Sequence, residues 1–536
     1  MEWKPTNLSY RQTGYFSRLI TDYLDQAENL SPFYSYPANA EGLRSALEAR
    51  KAGKPVDRAT LVSLLEEQYA GIADDTFGDA PKVRENIASL ARPNTFTLCT
   101  AHQPAIFTGH LYFVYKILHT IRLAEWMAEQ YPDHHFVPVF YMGSEDADLE
   151  ELGQIALGGE HLVWETKQSG AVGRMSTKGL DKLYYRIDGE LSVQPYGRQL
   201  MALLKEAYLE SPDIQTATFK MVHRLFAEWG LIVLIADKAA FKKQMIAVFE
   251  DDLFRQESSR IVGESIDRLS KSYDIQANPR DINLFYLKDD LRGRIEKVGE
   301  DYKIHGSTLG FTEAGIREEL HKFPERFSPN VILRGLFQET ILPNLAFIGG
   351  GGETAYWLEL KGLFDHYRTP FPVLVLRSSF LLVEKQWMEK MERAGFGVED
   401  LFRDEQDLMT ELVKRDSTQT LSLEEEIAVA NQYYESLKAL ARPVDPTLEE
   451  HVAALQVKAI EPIRLLEKKL LKAEKRKFGD QQRQIHQVKE ALFPGGNLQE
   501  RVENILPWYA LHGPGIIKQL YAHSPVWGEF VVLVES

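Results

Sequence analysis

A strand, a helix and a second strand follow one another between residues 94 and 143, and this order constrains the fold more than any other feature of the chain. "TFTLCTAH" and "HHFVPVFYMG" are apolar runs of strand length. Between them, "LYFVYKILHTIRLAEWMAEQY" carries apolar residues at helical spacing. Strands joined through a helix run parallel, so the sequence predicts a parallel sheet. Ligands bind such sheets beyond the carboxyl ends of the strands, which makes those ends candidate sites.

The same α/β pattern continues towards residue 384. Buried strands are predicted in "GLIVLIAD", in "NLAFIG" before four glycines, and in "PFPVLVLRSS". Two segments interrupt the pattern, one near 151–215 and one at 275–312, where alternating residues predict a β hairpin. We therefore expect a catalytic core over 94–384 with two insertions, preceded by a mainly helical segment over 1–93.

From about residue 385 the chain becomes long, charged and helical. Apolar residues recur there at spacings of three, four and seven, as in a coiled coil; they are Leu448, Val452, Leu455, Ala459, Leu466, Leu470 and Ala473. Pro462 interrupts this pattern, and "PGG" at 494–496 ends it. The sequence predicts a coiled-coil dimerisation arm over 385–496 and a final segment, 497–536, that packs back on the core.

Composition excludes several classes of protein. A net charge of -16 argues against a broad nucleic-acid-binding surface. No apolar run reaches the roughly 20 residues that cross a bilayer, and the first residues lack the layout of a signal peptide. The single cysteine, Cys99, excludes an intrachain disulfide and a cysteine-rich zinc cluster, so we expect a cytoplasmic protein without a metal site of its own. Cys99 lies in an apolar strand and is predicted to be structural.

The turn "GGGGE" at 349–353 is the first candidate site. A phosphate-binding Walker loop has a lysine and a hydroxyl after its last glycine, but here Glu353 and Thr354 follow. Glu353 is suited to ribose hydroxyls or to an amino group, with Trp357 one turn later as a cation–π face. The alternative is a tight turn whose glycines only permit close packing.

The end of the first strand and the start of the helix after it carry polar residues near this turn in the predicted sheet. His102 and Gln103 end the first strand, and Thr108, Gly109 and His110 open the next helix, whose free N–H groups favour anions. A capping or packing role for these histidines is the alternative.

The acidic loop "SEDAD" and the "RSS" turn are the remaining candidates. Ser144, Glu145 and Asp146 are suited to a substrate ammonium or to hydrated Mg²⁺, or else only to helix capping. Arg377 and Ser378 place a cation and a hydroxyl at the last strand end, which suits charge that develops on a phosphate.

In order along the chain, these pieces resemble the core of class I aminoacyl-tRNA synthetases and nucleotidylyl transferases. "FTGH" at 107–110 corresponds to their His-Ile-Gly-His loop, with Phe107 in place of the first histidine. "GGGGE" corresponds to their Gly-Gly-x-Asp turn, and "RSS" to a shortened Lys-Met-Ser-Lys-Ser loop.

A closer resemblance covers nearly the whole chain. "HQPAIFTGHLYFVYK", "PVFYMGSEDADLEE", "FSPNVILRGLFQETILPNLAFIGGGGETAYW" and "PVLVLRSS" are similar to the BshC family, whose members are proposed to add cysteine to glucosaminyl-malate in bacillithiol synthesis. The resemblance implies a Rossmann-type core with two connecting insertions and a C-terminal coiled coil that forms a homodimer. His110 departs from the family pattern, in which proline is expected.

The resemblance implies an ATP-dependent cysteine ligase with L-cysteine and glucosaminyl-malate as partners. Whether Mg²⁺ accompanies ATP, and whether cysteine is activated as an adenylate or an acyl phosphate, stays open. The predicted catalytic residues are His102, Gln103, His110, Arg377 and Ser378. The predicted nucleotide-binding residues are Thr108, Gly109, Gly349, Gly350, Gly351, Gly352 and Glu353, and the substrate-binding residues are Ser144, Glu145, Asp146, Glu353 and Trp357. The alternatives are a related ligase with another acceptor, or a nucleotide-binding coiled-coil scaffold.

Overall fold

The computed structural model describes residues 2–72, 80–419 and 421–536, so the predicted helical segment at 1–93 lies partly outside the described residues. The strands, numbered in chain order, are β1 (Trp3–Leu8), β2 (Thr95–His102), β3 (His135–Met142), β4 (Gln154–Leu157), β5 (Glu160–Val163), β6 (Ile232–Ile235), β7 (Leu284–Lys288), β8 (Leu291–Val298), β9 (Asp301–Ile304), β10 (Gly310–Thr312), β11 (Phe327–Pro329), β12 (Asn344–Gly349), β13 (Val373–Leu376), β14 (Ser379–Val383) and β15 (Phe530–Glu535).

The α-helices are numbered in the same way. They are α1 (Tyr10–Thr13), α2 (Arg18–Leu24), α3 (Ala40–Ala52), α4 (Arg58–Ile72), α5 (Pro81–Ser89), α6 (Leu111–Gln130), α7 (Leu149–Leu152), α8 (Leu180–Leu191), α9 (Gly197–Leu204), α10 (Ile214–Phe226), α11 (Ala239–Lys243), α12 (Ile246–Arg255), α13 (Glu257–Leu269), α14 (Glu313–Lys322), α15 (Val331–Ile341), α16 (Gly351–Tyr367), α17 (Lys385–Arg393), α18 (Glu405–Asp416), α19 (Glu424–Ala441), α20 (Leu448–Lys475), α21 (Gly479–Leu492), α22 (Ile505–His512) and α23 (Pro514–Ala522).

The core is a five-stranded sheet in the order β13-β12-β2-β3-β6, and every neighbouring pair in it is parallel. When the five strands are numbered by their order along the chain, they lie in the sheet in the order 5-4-1-2-3. This is the strand order of a Rossmann-type core. The order reverses between β2 and β12, and at such a switch point a crevice opens beyond the carboxyl ends of the strands. The predicted fold class is confirmed.

Helices cover both faces of this sheet, which explains why every residue of β2 is buried. On one face, Leu98 and Ala346 pack in a hydrophobic cluster with Leu47 of α3 and Met127 of α6. On the other face, α16 is held by stacking of Trp357 on Phe347, with ring centroids 4.6 Å apart. A parallel strand buried on both faces reads as a continuous apolar run, which is the pattern seen in the sequence.

The second insertion forms an antiparallel sheet in the order β10-β9-β8-β7-β11. The predicted hairpin at 275–312 is present as β7 and β8, paired from Phe285 with Arg294 to Lys288 with Leu291. Three more strands extend it, β9 and β10 on one side and β11 on the other. The first insertion contains the two-stranded sheet β4-β5 and continues as helices. Strand β1 was missed in a segment predicted as mainly helical.

The chain divides into two compact units. One consists of Asn7–Leu381 and Gln499–Val531 and contains the parallel sheet. The other is built mainly from Leu382–Leu498 and contains α17 to α21. Within it, α19 and α20 form a helical hairpin, and α20 continues through Pro462. Over the described ranges, no helix is long and apolar enough to cross a membrane.

Candidate active site

A cavity of about 410 Å³ opens at the carboxyl ends of the parallel strands. Each strand of the core sheet ends at or next to this cavity, as the reversal of strand order predicts. Of the predicted site residues, it brings together His102, Gln103, Ser144, Glu145, Asp146, Gly350, Gly351, Gly352, Glu353 and Arg377. These come from four loops that are far apart in the sequence.

The loop at 107–110 does not line this cavity, because the segment after residue 499 covers it. The first N–H group of α6, at Leu111, donates to the carbonyl of Glu503 at 2.8 Å. Asn504 donates to the carbonyl of Phe107 at 2.9 Å, and the imidazole of His110 lies 3.3 Å from the carbonyl of Val502. The predicted anion site at Thr108, Gly109 and His110 is therefore corrected, since backbone groups of the same chain occupy the position expected for the anion.

Three other predicted residues also lie outside the lining. Trp357 is fully buried against Phe347, so its ring is not available as a cation–π face for a ligand. Ser378 is fully buried, and its backbone N–H donates to Nδ1 of His119 at 2.9 Å. Gly349 is the last residue of β12 and is buried in the sheet. The substrate contact predicted for Trp357 is wrong, because the ring is part of the core.

The glycine turn is the start of α16, and Glu353 caps that helix. The N–H of Gly350 donates to Oε2 of Glu353 at 2.9 Å, and the same carboxylate forms an ion pair with Lys116. Its charge is therefore compensated, and it does not repel an anion as strongly as the sequence suggested. A Cβ atom at Gly350 would lie 3.5 Å from Nε of Arg377, so this glycine leaves space between the helix start and that guanidinium.

Three cations of the cavity lining lie near the start of α16. Lys116 is 6 % exposed and also donates to the carbonyl of Ala101 at 3.2 Å. Burial lowers the pKa of its ammonium, the carboxylate of Glu353 opposes that shift, and the nearby guanidinium groups of Arg377 and Arg334 add to it. Arg334 bonds to the hydroxyl of Tyr356, and its Nη1 is buried without a partner among the described residues. Buried cations with free N–H groups suit a carboxylate or a phosphate.

Arg377 is held by a second buried ion pair. Its Nη1 and Nη2 donate to the two carboxylate oxygens of Glu500 at 2.9 and 2.6 Å. The two side chains are 4 % and 0 % exposed, and Ser379 donates to the same carboxylate at 3.3 Å. Nε of Arg377 has no partner within the described part of the chain. Glu500 thus fixes the guanidinium in one orientation beside the start of α16.

The ring of Tyr112 lies near His102 and two of these cations. Its ring stacks on His102 at 5.4 Å with an interplanar angle of 3°. The ammonium of Lys116 lies 5.7 Å from the ring centroid and the guanidinium of Arg377 5.3 Å, both within cation–π range. Burial raises the pKa of Tyr112 to about 12, so the phenol is neutral and keeps its proton.

The lining of the cavity also contains carboxylates. Glu145 forms an ion pair with the fully buried Lys242, and Asp237 accepts two hydrogen bonds from Arg174 at 2.7 and 2.8 Å. Asp146 accepts from Nε2 of Gln103 at 3.1 Å.

Glu151 also lines the cavity. Burial raises the pKa of this carboxyl, the charges of Asp148 and Asp146 add to the shift, and the ammonium of Lys116 opposes it. Carboxylates and cations therefore lie close together in the lining.

Several lining residues were missed in the sequence. They are Tyr112, Lys116, Tyr141, Glu151, Asp237, Arg292, Ser328, Asn330, Arg334, Tyr356 and Arg501. Lys116 and Arg334 had a readable signal, since each is a lone cation inside an apolar helical run, "FVYKILH" and "VILRGLF". A cation on a buried helix face needs a partner, and that requirement points to a site.

No group of three or more histidine, cysteine or acidic side chains is placed to hold a metal ion in the part of the chain that the structure describes. A nucleotide-bound Mg²⁺ keeps most of its ligands as phosphate oxygens and water, and needs only one or two carboxylates. Carboxylates that line the cavity, such as that of Asp146, meet that smaller requirement.

Cys99 is expected to matter for stability and not for chemistry. Its side chain is fully buried in β2, and burial raises the pKa of the thiol well above its ordinary value. Cys99→Ala is expected to lower the free energy of unfolding by about 1–2 kcal/mol, through lost apolar burial. Urea titration measures this change. Loss of ligand binding in a stable Cys99→Ala protein would contradict the structural role.

The fold and the cavity together define a Rossmann-type protein whose site, at the switch point of the sheet, is lined by both cations and carboxylates. Two family models match the chain, "Bacillithiol biosynthesis BshC, N-terminal Rossmann-like domain" over residues 1–378 and "Bacillithiol biosynthesis BshC, C-terminal coiled-coil domain" over residues 380–534. The chain belongs to the BshC family of bacillithiol biosynthesis proteins, which confirms the resemblance read from its motifs.

Relatives named "Putative cysteine ligase BshC" match over nearly their full length. The chain is 38 % identical to one from Flavobacterium psychrophilum, covering 96 % of this chain and 97 % of the relative. It is 38 % identical to one from Cytophaga hutchinsonii, covering 96 % and 95 %. It is 36 % identical to one from Christiangramia forsetii, covering 99 % of both chains.

Proposed function

We propose that this protein is an ATP-dependent ligase that joins the carboxyl group of L-cysteine to the amine of glucosaminyl-malate. The names of its relatives support a cysteine ligase. The observation that carries the proposal is that one cavity holds both cations, at Lys116, Arg334 and Arg377, and carboxylates, at Asp146 and Glu151.

The charged groups that line the cavity match the charges of the proposed substrates. Glucosaminyl-malate carries carboxylates at one end and an amine at the other, and cysteine and ATP add a carboxylate and phosphates. Carboxylates and phosphates bind guanidinium and ammonium groups through charge-assisted hydrogen bonds. An ammonium group in turn binds carboxylates such as that of Asp146. A molecule with both groups is therefore held in one orientation.

Amide formation needs an activated carboxyl group, because a free carboxylate resists attack by an amine. ATP supplies that activation, as an adenylate or an acyl phosphate. The N–H groups of Gly351 and Gly352 at the start of α16 and the free Nε of Arg377 stabilise negative charge that develops on the transferred group. The rest of catalysis is positioning of the amine against the activated carbon.

A cysteine-dependent exchange of pyrophosphate into ATP tests the proposal directly. Exchange indicates an adenylate, whereas release of ADP and phosphate on addition of glucosaminyl-malate indicates an acyl phosphate. A panel of other amino acids and amines serves as the control for substrate choice. In the cell, deletion of the gene is expected to accumulate glucosaminyl-malate without its cysteinyl product. Turnover with another amino acid and none with cysteine would overturn the assignment.

The helical arm is proposed to form a homodimer. Apolar side chains of α19 and α20 are exposed in the single chain; they are Val429, Tyr433, Leu440, Leu448, Leu455, Val457, Leu465 and Leu466. Such a face is expected to pack against a second copy, as in coiled coils.

Light scattering at micromolar concentration is expected to give the mass of two chains. Leu455→Glu with Leu466→Glu is expected to shift it towards one chain, whereas Lys468→Glu, a change at an exposed charged position, leaves it unchanged. A wild-type monomer at that concentration would contradict the dimer.

A further inference from the structure

His102 ends β2 and lines the cavity, and its ring is fixed from several sides. The backbone N–H of Gln103 points at Nδ1 of His102, with a nitrogen–nitrogen distance of 2.7 Å. Tyr112 stacks on one face of the ring, and Phe113 contacts it at 5.4 Å between centroids. The side chain is therefore held in one orientation at the edge of the site.

The hydrogen bond from Gln103 also fixes the protonation state of the ring. An N–H group donates only to a nitrogen with a free lone pair, so Nδ1 carries no proton. A neutral imidazole with a bare Nδ1 has its proton on Nε2. Nε2 makes no hydrogen bond to the described residues, and the ring lines the cavity. His102 therefore offers a donor to the site and no acceptor.

The charged groups around the ring favour the neutral form. Lys116 of α6 and Arg377 after β13 are cations on the same side of the cavity, and His110 lies nearby. The carboxylate of Glu353 is engaged with Lys116 and is not in contact with the imidazole. Burial, and then the charge of Lys116, hold the pKa of His102 well below its ordinary range.

We propose that His102 acts as a neutral hydrogen-bond donor through Nε2–H, directed at a substrate oxygen that gains negative charge, and that it is not the general base of the reaction. The proposal rests on the proposed ligase function for the identity of that oxygen, which belongs to the activated carboxyl or phosphoryl group. The proton released by the attacking amine then leaves by another route. A donor aimed at developing charge contributes roughly 10²–10³-fold to the rate.

The protonation state is tested without any substrate. Nitrogen-15 NMR of histidine-labelled full-length protein, from pH 6 to pH 8, is expected to show a His102 ring with bare Nδ1 and protonated Nε2 throughout. His102→Gln identifies the signal by its loss, and His119→Gln, a change at a buried histidine outside the cavity lining, is the control for the assignment. A ring that becomes doubly protonated above pH 6, or that carries its proton on Nδ1, would overturn the proposal even if the ligase activity is confirmed.

Kinetics separate a donor from a base. His102→Gln keeps an N–H donor but has no basic nitrogen, whereas His102→Leu has neither. We expect kcat for His102→Gln within about tenfold of wild type, and a loss of about 10²–10³-fold for His102→Leu with a similar thermal midpoint. Equal losses in the two variants, together with a wild-type pH limb that both abolish, would show a base. If no ligase activity is found at all, the NMR result still decides the state of the ring.

Discussion

Glu500→Gln is expected to lower the free energy of unfolding of the unit that contains the parallel sheet by about 3–5 kcal/mol, because it leaves the guanidinium of Arg377 buried and unpaired. The two side chains are almost completely enclosed, and both carboxylate oxygens accept from the guanidinium. Water cannot replace the missing charge at this depth. Urea titration followed by tryptophan fluorescence measures the change.

A double-mutant cycle isolates the pair. Arg377→Met removes the other partner and is also destabilising, whereas Arg377→Met with Glu500→Leu removes both charges and is expected to recover much of the lost stability. The recovered protein should still lack activity, since Arg377 lines the cavity. Glu264→Gln breaks an exposed pair with Arg260 and is the matched control, with no resolvable change expected. A strictly additive cycle would show that the two side chains are not coupled.

The sequence predicted those parts of the site that lie at strand ends. His102, Ser144, Gly350 and Arg377 each follow directly after, or end, an apolar run of strand length, and a parallel sheet brings such positions to one edge. That inference needs only the identity and direction of the strands. The long-range pairing that places β12 beside β2 did not have to be known.

The missed residues reach the cavity from elements whose placement the local pattern does not contain. Arg334 comes from α15, which contacts α16 and β11, and Arg292 comes from β8 of the antiparallel insertion. Their positions are set by tertiary packing between elements that are distant in the sequence. The same reason explains His110, since no local pattern indicates that residues 502–504 return to cover the start of α6.

Glu353 lies where the sequence predicted, but its carboxylate has a different role from the predicted one. An acid directly after four glycines suggested a contact with ribose or ammonium, but Gly350 and Lys116 both bind its carboxylate. The decisive partner lies more than two hundred residues earlier in the chain.

Glu353→Gln is expected to lower the stability of the folded protein strongly, because it removes the only carboxylate that the structure pairs with Lys116 among the described residues. The glutamine oxygen still accepts from Gly350, so the start of α16 is kept. The ammonium is left among Arg377 and Arg334, and we expect a loss of about 3 kcal/mol near pH 6.

The loss should depend on pH in a defined direction. The pKa of Lys116 is already below its ordinary value in the wild-type protein, and without Glu353 it falls further. In the folded state, the pKa of Lys116 is lower in the variant than in the wild type. At pH values between these two pKa values, Lys116 has lost its proton in the folded variant but keeps it in the folded wild type. The unfolded chains retain it in both proteins, so the stability of the variant rises relative to wild type as the pH increases through this window. The deficit should therefore be larger at pH 6 than at pH 9.

Urea titrations of wild type and variant at both pH values measure this difference. The double variant Lys116→Met with Glu353→Gln is the control. It has no ammonium at position 116, so its loss of stability should not change with pH through the titration of Lys116. The same loss of charge predicts a KM for the anionic substrate that rises with pH in Glu353→Gln more than in wild type, since a neutral amine no longer attracts a carboxylate or phosphate. An equal loss in free energy of unfolding at pH 6 and pH 9 would show that Lys116 keeps its proton without Glu353. The charges of the guanidinium groups around it would then be screened by the cavity.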